Sequence, residues 1–188
     1  MTLTSAHRPV VIVLACGRGA RFLASGGSTH KLRALLAGQP VLAHTLQAAR
    51  ASGLPVHLVE GESAGMGDSI AAGVRATAGA AGWLVLPGDL PLVQAQTLLD
   101  VAHHLPAWSV VVPCYQGQKG HPVGFAAACR GDLLQLEGDV GAASVAKKYG
   151  ATVIGVDDVG CVLDVDTVYD LARAEQVLLS GRRTLECN

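Results

Sequence analysis

The sequence predicts a doubly wound α/β fold, a mostly parallel sheet with helices on both faces. Three observations carry this. Short runs of Val, Ile and Leu alternate with helical patterns along the 188 residues. Those runs are apolar throughout, as strands covered on both faces are, rather than apolar at every second position. Half of the residues are hydrophobic and only 4% are aromatic, so the core must be built from Ala, Val and Leu. Strands alternating with helices imply βαβ units. The length suits one domain, since ~100–200 residues per domain is usual; we expect a single domain over residues 1–188, with its core in about 9–179.

In order, PVVIVLA at 9–15 reads as the first strand and PVLAHTLQAARAS at 40–52 as a helix, with Pro40 near its start and Gly53 as its stop. VHLV at 56–59 is a strand, 68–78 a helix, WLVL at 83–86 a strand and 94–104 a helix. SVVVP at 109–113 is a strand. HPVGFA at 121–126 follows the turn QGQKG and reads as a strand antiparallel to a neighbour. Residues 142–149 read as a helix capped by Gly150, ATVIGV at 151–156 as a strand and 167–179 as the closing helix. Residues 1–8 and 180–188 read as loose ends.

The formal charge of −1 argues against a general nucleic-acid binder, whose footprint is strongly basic. The apolar run at 10–16 is too short for a membrane span of ~20 residues and lacks a signal-type cleavage site. The cysteines are Cys16, Cys114, Cys129, Cys161 and Cys187, an odd number, widely spaced and without a C-x-x-C pair. That points away from a disulfide frame or zinc site and toward the reducing cytoplasm.

In doubly wound sheets ligands sit beyond the carboxyl ends of the strands. The segments there are CGRGAR, PGDLP and VLDVD. Gly17 and Gly19 allow close approach of the backbone to a ligand, and successive amides in such a turn cradle an anion. Arg18, Arg21 and Lys31 add charge, so the loop suits a polyphosphate, unless its arginines are merely solvated. It is not a dinucleotide fingerprint, because Phe22 stands where the third glycine belongs, and it is not a P-loop, because no Gly-Lys-Ser/Thr follows.

Carboxylates answer these cations. Asp89 follows a buried strand. Asp164 and Asp166 alternate, so both face one side if the segment is extended. Carboxylates near a polyphosphate call for a divalent cation between them, and Mg²⁺ takes one or two carboxylates plus phosphate oxygens and waters. Asp89 and Asp166 are the expected ligands; the plainer alternatives are a turn aspartate at Asp89 and a helix cap at Asp166. GMGDSIAAG at 65–73 opens a helix that Asp68 or Ser69 can cap, with free amides able to face a nucleotide. His121, in QKGHPVGF, is easier to read as a substrate-binding group than as a general base.

In order, LACGRGARF, Lys31, GQPVLAHTL, GMGDSIAAG, VLPGDLPLV, GHPVGF, GDVGAASV and DVDT resemble the molybdenum cofactor nucleotidyltransferases, a MobA-like family of Rossmann-like fold. GMGDSIAAG, GHPV and the late Asp-x-Asp-Thr are more specific to its cytidylyl branch. The resemblance implies transfer of CMP from CTP to the terminal phosphate of molybdenum-bearing molybdopterin, with release of pyrophosphate. The product would serve a client molybdenum hydroxylase.

It also implies roles. Leu14, Ala15, Cys16, Gly17, Arg18 and Gly19 would hold the nucleotide. Arg21 and Lys31 would bind the triphosphate and form the catalytic set with Asp89. Gly67, Asp68 and Ser69 would lie near the base or ribose, Gly120, His121 and Pro122 near the pterin, and Asp89 and Asp166 on Mg²⁺. Cys16 stands where the branches differ, and a side chain there narrows the base pocket in favour of a pyrimidine. SGGSTH is in effect an insertion that leaves the place of Lys31 open. A guanylyl- or sugar-phosphate nucleotidyltransferase and a non-catalytic maturation partner are the alternatives.

Overall fold

The computed structural model describes residues 8–61 and 65–186, the side chains only as far as residue 180. The strands are β1 (Val10–Ala15), β2 (Leu35–Leu36), β3 (Gln39–Pro40), β4 (Val56–Glu60), β5 (Gly82–Pro87), β6 (Val110–Tyr115), β7 (Gln118–Lys119), β8 (Val123–Ala126) and β9 (Thr152–Gly155). The helices are α1 (Ala20–Ala24), α2 (Val41–Ala51), α3 (Met66–Ala76), α4 (Ala95–His104), α5 (Arg130–Leu134), α6 (Ala143–Tyr149) and α7 (Val168–Glu186).

One seven-stranded sheet runs in the order β4-β1-β5-β8-β6-β7, with β9 beside β6. β4, β1 and β5 are parallel, and β9 is parallel to β6. β8 is antiparallel to both β5 and β6, as expected for the segment after the QGQKG turn.

Alternate residues of each strand serve opposite faces. In β1, Val10, Ile12 and Leu14 pack with Ile70 and Val74 of α3 and Leu133 of α5. Val11 and Val13 pack with Ala49 of α2 and Leu98 and Val101 of α4. Both faces are therefore dry, which explains the unbroken apolar strands. α3 lies against β1 closely because Gly73 has no side chain; a Cβ there would meet Ile12 Cγ2 at 2.7 Å.

Three expectations change. The closing helix runs to Glu186, so residues 180–186 are not a loose end; residues 1–7, 187 and 188 lie outside the described part. The strand expected at 121–126 begins only at Val123, because Pro122 has no N–H for a ladder. The loop 16–40 carries structure the periodicity did not reveal: α1, a 3₁₀ turn at Lys31–Arg33 and the β2–β3 hairpin. That hairpin turns through Ala37 and Gly38, both at positive φ.

Candidate active site

The chain passes from β1 out to β4 and back across to β5, so the sheet switches direction beside β1. The segments leaving β1 and β5 emerge side by side there. Gly88 N–H donates to the Leu14 carbonyl at 2.8 Å, joining the turn after β5 to the end of β1. A cleft of about 900 Å³ opens at this point, walled by the glycine loop, the Asp89 turn, residues 118–121 and the stretch 161–166.

Four expected residues meet in it. The Lys31 ammonium donates to Asp89 Oδ2 at 2.6 Å and to Asp166 Oδ1 at 2.7 Å. Arg21 Nη2 lies 2.8 Å from Asp166 Oδ2. The Lys31, Asp89 and Asp166 side chains are 13%, 16% and 16% exposed, whereas Arg21 is 78% exposed. Burial works against the Lys31 charge, but the Asp89 charge and hydrogen bonds to both carboxylates outweigh it and hold its pKa above the usual lysine value. Burial likewise opposes the Asp166 carboxylate, but Lys31 and then Arg21 hold its pKa below the usual range. Asp89 Oδ1 is buried and has no partner.

The long loop does not displace Lys31. His30 Nε2 lies 2.6 Å from the Gly17 carbonyl, and its Nδ1 accepts from Leu32 N–H at 3.3 Å. Ser25 donates to the Phe22 carbonyl at 2.8 Å and accepts from Val168 N–H at 3.0 Å. The inserted residues fold onto Phe22 and α7, and His30 fixes the turn that delivers Lys31.

The stretch 163–166 is extended: Leu163 and Val165 are buried, while Asp164 and Asp166 line the cleft. Burial pushes the Asp164 pKa up, and repulsion from Asp166 and Asp89 adds to it against the pull of its own backbone. Asp166 is not the helix cap. Thr167 and Asp170 cap α7 together. Thr167 N–H and Oγ1 donate to Asp170 Oδ2 at 2.8 and 2.7 Å, and Asp170 N–H returns to Thr167 Oγ1 at 3.2 Å.

Leu14, Cys16, Gly17, Arg18, Gly19, Ser69, Gly120 and His121 also line the cleft. Cys16 Sγ donates to the Val59 carbonyl at 3.2 Å. Burial lowers the His121 pKa, the Asp89 charge and the Val85 backbone pulling the other way, and Nδ1 has no hydrogen-bond partner.

Ala15, Gly67, Asp68 and Pro122 are not on the wall of this cleft. Ala15 packs into the cluster under the long loop. A Cβ at Gly67 would meet the Val140 carbonyl at 2.7 Å, so this glycine lets residues 137–140 lie against α3. Asp68 accepts from Gly138 N–H at 2.9 Å, holding the same stretch. Pro122 is buried.

The sequence reading missed Met66 and Asp139 on the wall, and His30 and Asp158 behind it. Asp158, 2% exposed, accepts from Gln94 N–H, Thr97 Oγ1 and Gly160 N–H at 2.9, 2.6 and 2.8 Å. It ties the start of α4 to the turn entering 161–166. An Asp two residues before a glycine was the available signal.

A cleft at the switch point, with a glycine loop, two cations and paired carboxylates, is a site suited to a polyphosphate ligand. The MobA-like NTP transferase domain model matches residues 48–153, more than half of the chain. The chain belongs to that family. The match includes Asp89; the glycine loop, Lys31 and Asp166 lie outside it.

Among solved structures, Rv0371c from Mycobacterium tuberculosis H37Rv is 27% identical with a TM-score of 0.77, over 94% of this chain and 100% of that one. A complex of Rv0371c with manganese is 25% identical with a TM-score of 0.69, over 90% and 98%. Molybdopterin-guanine dinucleotide biosynthesis protein A from Archaeoglobus fulgidus, 18% identical with a TM-score of 0.63 over 91% and 99%, shares the fold. The bifunctional protein GlmU of Xanthomonas oryzae pv. oryzae is 30% identical over 138 residues, 61% of this chain and 29% of GlmU. The chain thus spans under a third of the curated relatives it matches. Among the described residues no helix is long and apolar enough to cross a membrane.

Proposed function

We propose that the chain transfers CMP from CTP to the terminal phosphate of molybdenum-bearing molybdopterin, giving the cytosine dinucleotide form and pyrophosphate. One observation carries the transfer chemistry: Lys31 bridges Asp89 and Asp166 at 2.6 and 2.7 Å beside the glycine loop. The loop amides, Arg18, Arg21 and Lys31 would receive the triphosphate.

Asp89 and Asp166 suit a hard dication, because Asp89 Oδ1 is buried without a partner. Among the described residues no group of three or more His, Cys, Asp or Glu is arranged to hold a metal ion. Two carboxylates completed by waters and phosphate oxygens are what Mg²⁺ accepts. When bound, Mg²⁺ would neutralise charge on the triphosphate and on the departing pyrophosphate. That the similar Rv0371c has been solved with manganese is in keeping with a divalent ion in this reading.

The nucleophile, a phosphate monoester with a second pKa of ~6, is largely dianionic at neutral pH and needs no base. What it needs is neutralisation. At ~4 Å and an effective dielectric of ~20, each like-charge pair costs about 4 kcal/mol. Lys31 and Arg21 would offset part of that and hold the donor in line. Cys16, on the wall, supports the smaller base: its side chain takes space a purine would use.

The test is a melting panel of CTP, GTP and UTP with and without Mg²⁺, since a ligand of the folded state raises the Tm. Pyrophosphate release with molybdopterin follows. A rise for CTP with Mg²⁺ and CTP-dependent release support the reading. No response to any triphosphate overturns it, and binding without release favours a maturation partner.

A further inference from the structure

SGGSTH, the insertion ahead of Lys31, ends on His30. Its imidazole bonds two separate parts of the cleft wall. Nδ1 accepts from the Leu32 N–H at 3.3 Å, and Nε2 lies 2.6 Å from the Gly17 carbonyl. A ring nitrogen that accepts from an amide carries no proton, so the proton sits on Nε2. A carbonyl only accepts, so Nε2–H donates to Gly17. Both bonds call for one and the same neutral ring.

The two bonds serve different sides of the site. On the Lys31 side, the His30 carbonyl accepts from the Arg33 and Ala34 N–H groups at 2.8 and 3.1 Å, while its ring caps the same 3₁₀ turn. Leu32 is buried under that turn beside Leu36. A turn pinned at His30 and Leu32 leaves Lys31 between them, directed at Asp89 and Asp166. On the other side, among the described residues, neither Gly17 nor Arg18 makes another main-chain hydrogen bond. Their N–H groups are open to a phosphate, and the set of the loop depends on the bond from His30. The ring also lies against Gly19, at φ +65°, where a Cβ would meet His30 Cδ2 at 3.1 Å. Gly19 starts α1, the helix that carries Arg21.

We infer that His30 is a positioning residue for the triphosphate: its neutral ring bolts the glycine loop to the Lys31 turn and holds the loop amides and the ammonium at a spacing that fits successive phosphates. The inference rests on the polyphosphate part of the nucleotidyl-transfer reading and adds to it a residue that lies in the insertion, outside the motifs. With the bolt in place the two halves are ordered before the ligand arrives. Without it, a ligand that spans both must order them on binding, and that entropy is taken from its affinity. A monophosphate spans less of the site and depends less on the bolt.

The test is calorimetric titration of tripolyphosphate, CTP and CMP, each with Mg²⁺, into the full chain and into His30→Ala, His30→Asn and His30→Gln. Asparagine puts an oxygen where Nδ1 stands and keeps the cap of the turn, but is too short to reach Gly17. Glutamine puts an N–H where Nε2–H stands and restores the link. Tripolyphosphate and CTP are expected to bind about fivefold more weakly to the alanine and asparagine variants, the scale of one neutral hydrogen bond, with glutamine returning to within about twofold of the parent. CMP affinity should change less than about twofold throughout, since one phosphate needs no spacing held. Parental affinity for tripolyphosphate in His30→Asn overturns the inference. So does a glutamine variant as weak as the alanine one, or an equal loss for CMP, which a general loosening of the loop would give. If CMP does not bind the parent, the contrast between asparagine and glutamine decides alone. If the parent binds tripolyphosphate but not CTP, the nucleotide reading falls, and the tripolyphosphate series still decides His30. If it binds neither, both fall.

Discussion

The Val165 N–H donates to the Asp89 carbonyl at 2.9 Å, so the residue between Asp164 and Asp166 is tied by main chain to the turn after β5. Two acids far apart in sequence thereby share one site through a bond that no side-chain change removes. Val165 is fully buried beside Leu163, which fixes the outward direction of its neighbours. Side chains in this cleft can therefore be altered without losing the frame.

Asp89→Asn keeps that main-chain bond and the side-chain shape but removes a charge. Pyrophosphate release is expected to fall by roughly 10²–10³, the usual loss when one electrostatic element of such a site is deleted. The circular dichroism spectrum should match that of the parent. Release at the parental rate would remove Asp89 from the machinery.

Lys31→Met tests whether the ammonium holds a cation's place. In the structure it donates to Asp89 Oδ2 and Asp166 Oδ1 together, so an entering Mn²⁺ must compete with it for those oxygens. Without the ammonium, Mn²⁺ alone should bind several-fold tighter by calorimetry, while CTP should bind at least tenfold more weakly for want of a phosphate partner. Mn²⁺ affinity that does not rise would show that the lysine and the metal do not share these oxygens.

The sheet and its helices were legible because burial on both faces leaves continuous apolar runs, as in VVIVLA. The paired acids were legible because alternation at Asp164 and Asp166 survives folding as an extended strip. The long loop was not, since its order comes from tertiary bonds such as His30 to Gly17 and Ser25 to Val168, which carry no period. Gly67 and Asp68 show a related effect: a glycine and an acid at a helix start look like a ligand cradle, and here both make contact with residues 137–140, which no period in the sequence announces.

Cys16→Gly addresses base choice. Removing the side chain widens the wall beside β4 and deletes the bond to the Val59 carbonyl. The ratio of kcat/KM for CTP over GTP should fall by about tenfold, the scale on which a hydrophobic pocket discriminates size. An unmoved ratio would place the base elsewhere.

Asp158→Ala leaves the Gln94 and Gly160 amides and the Thr97 hydroxyl without their acceptor in a buried place. With each orphaned donor costing about 1–3 kcal/mol, and some relaxation expected, the variant should lose about 2–4 kcal/mol. Urea unfolding measures this. A loss below about 1 kcal/mol would mean that the turn into 161–166 is held by other contacts.

His121 predicts the acid side of the stability curve. Burial depresses its folded pKa below the ordinary value of 6.5, so on acidification the unfolded chain takes up this proton first. Stability rises with pH wherever the unfolded state binds more protons, so this contribution is present at neutral pH and is lost below about pH 6.5. The loss continues until the folded pKa is reached, with a slope of at most about 1.4 kcal/mol per pH unit. His121→Gln cannot titrate, and the remaining histidines are common to both proteins. Urea unfolding at pH 7.5, 6.5 and 5.5 should therefore show the gap between the parent and His121→Gln shifting in favour of the variant as pH falls. Parallel curves would mean that His121 gains its proton in the folded chain as readily as in the unfolded one, and that its ring is not shut away from water.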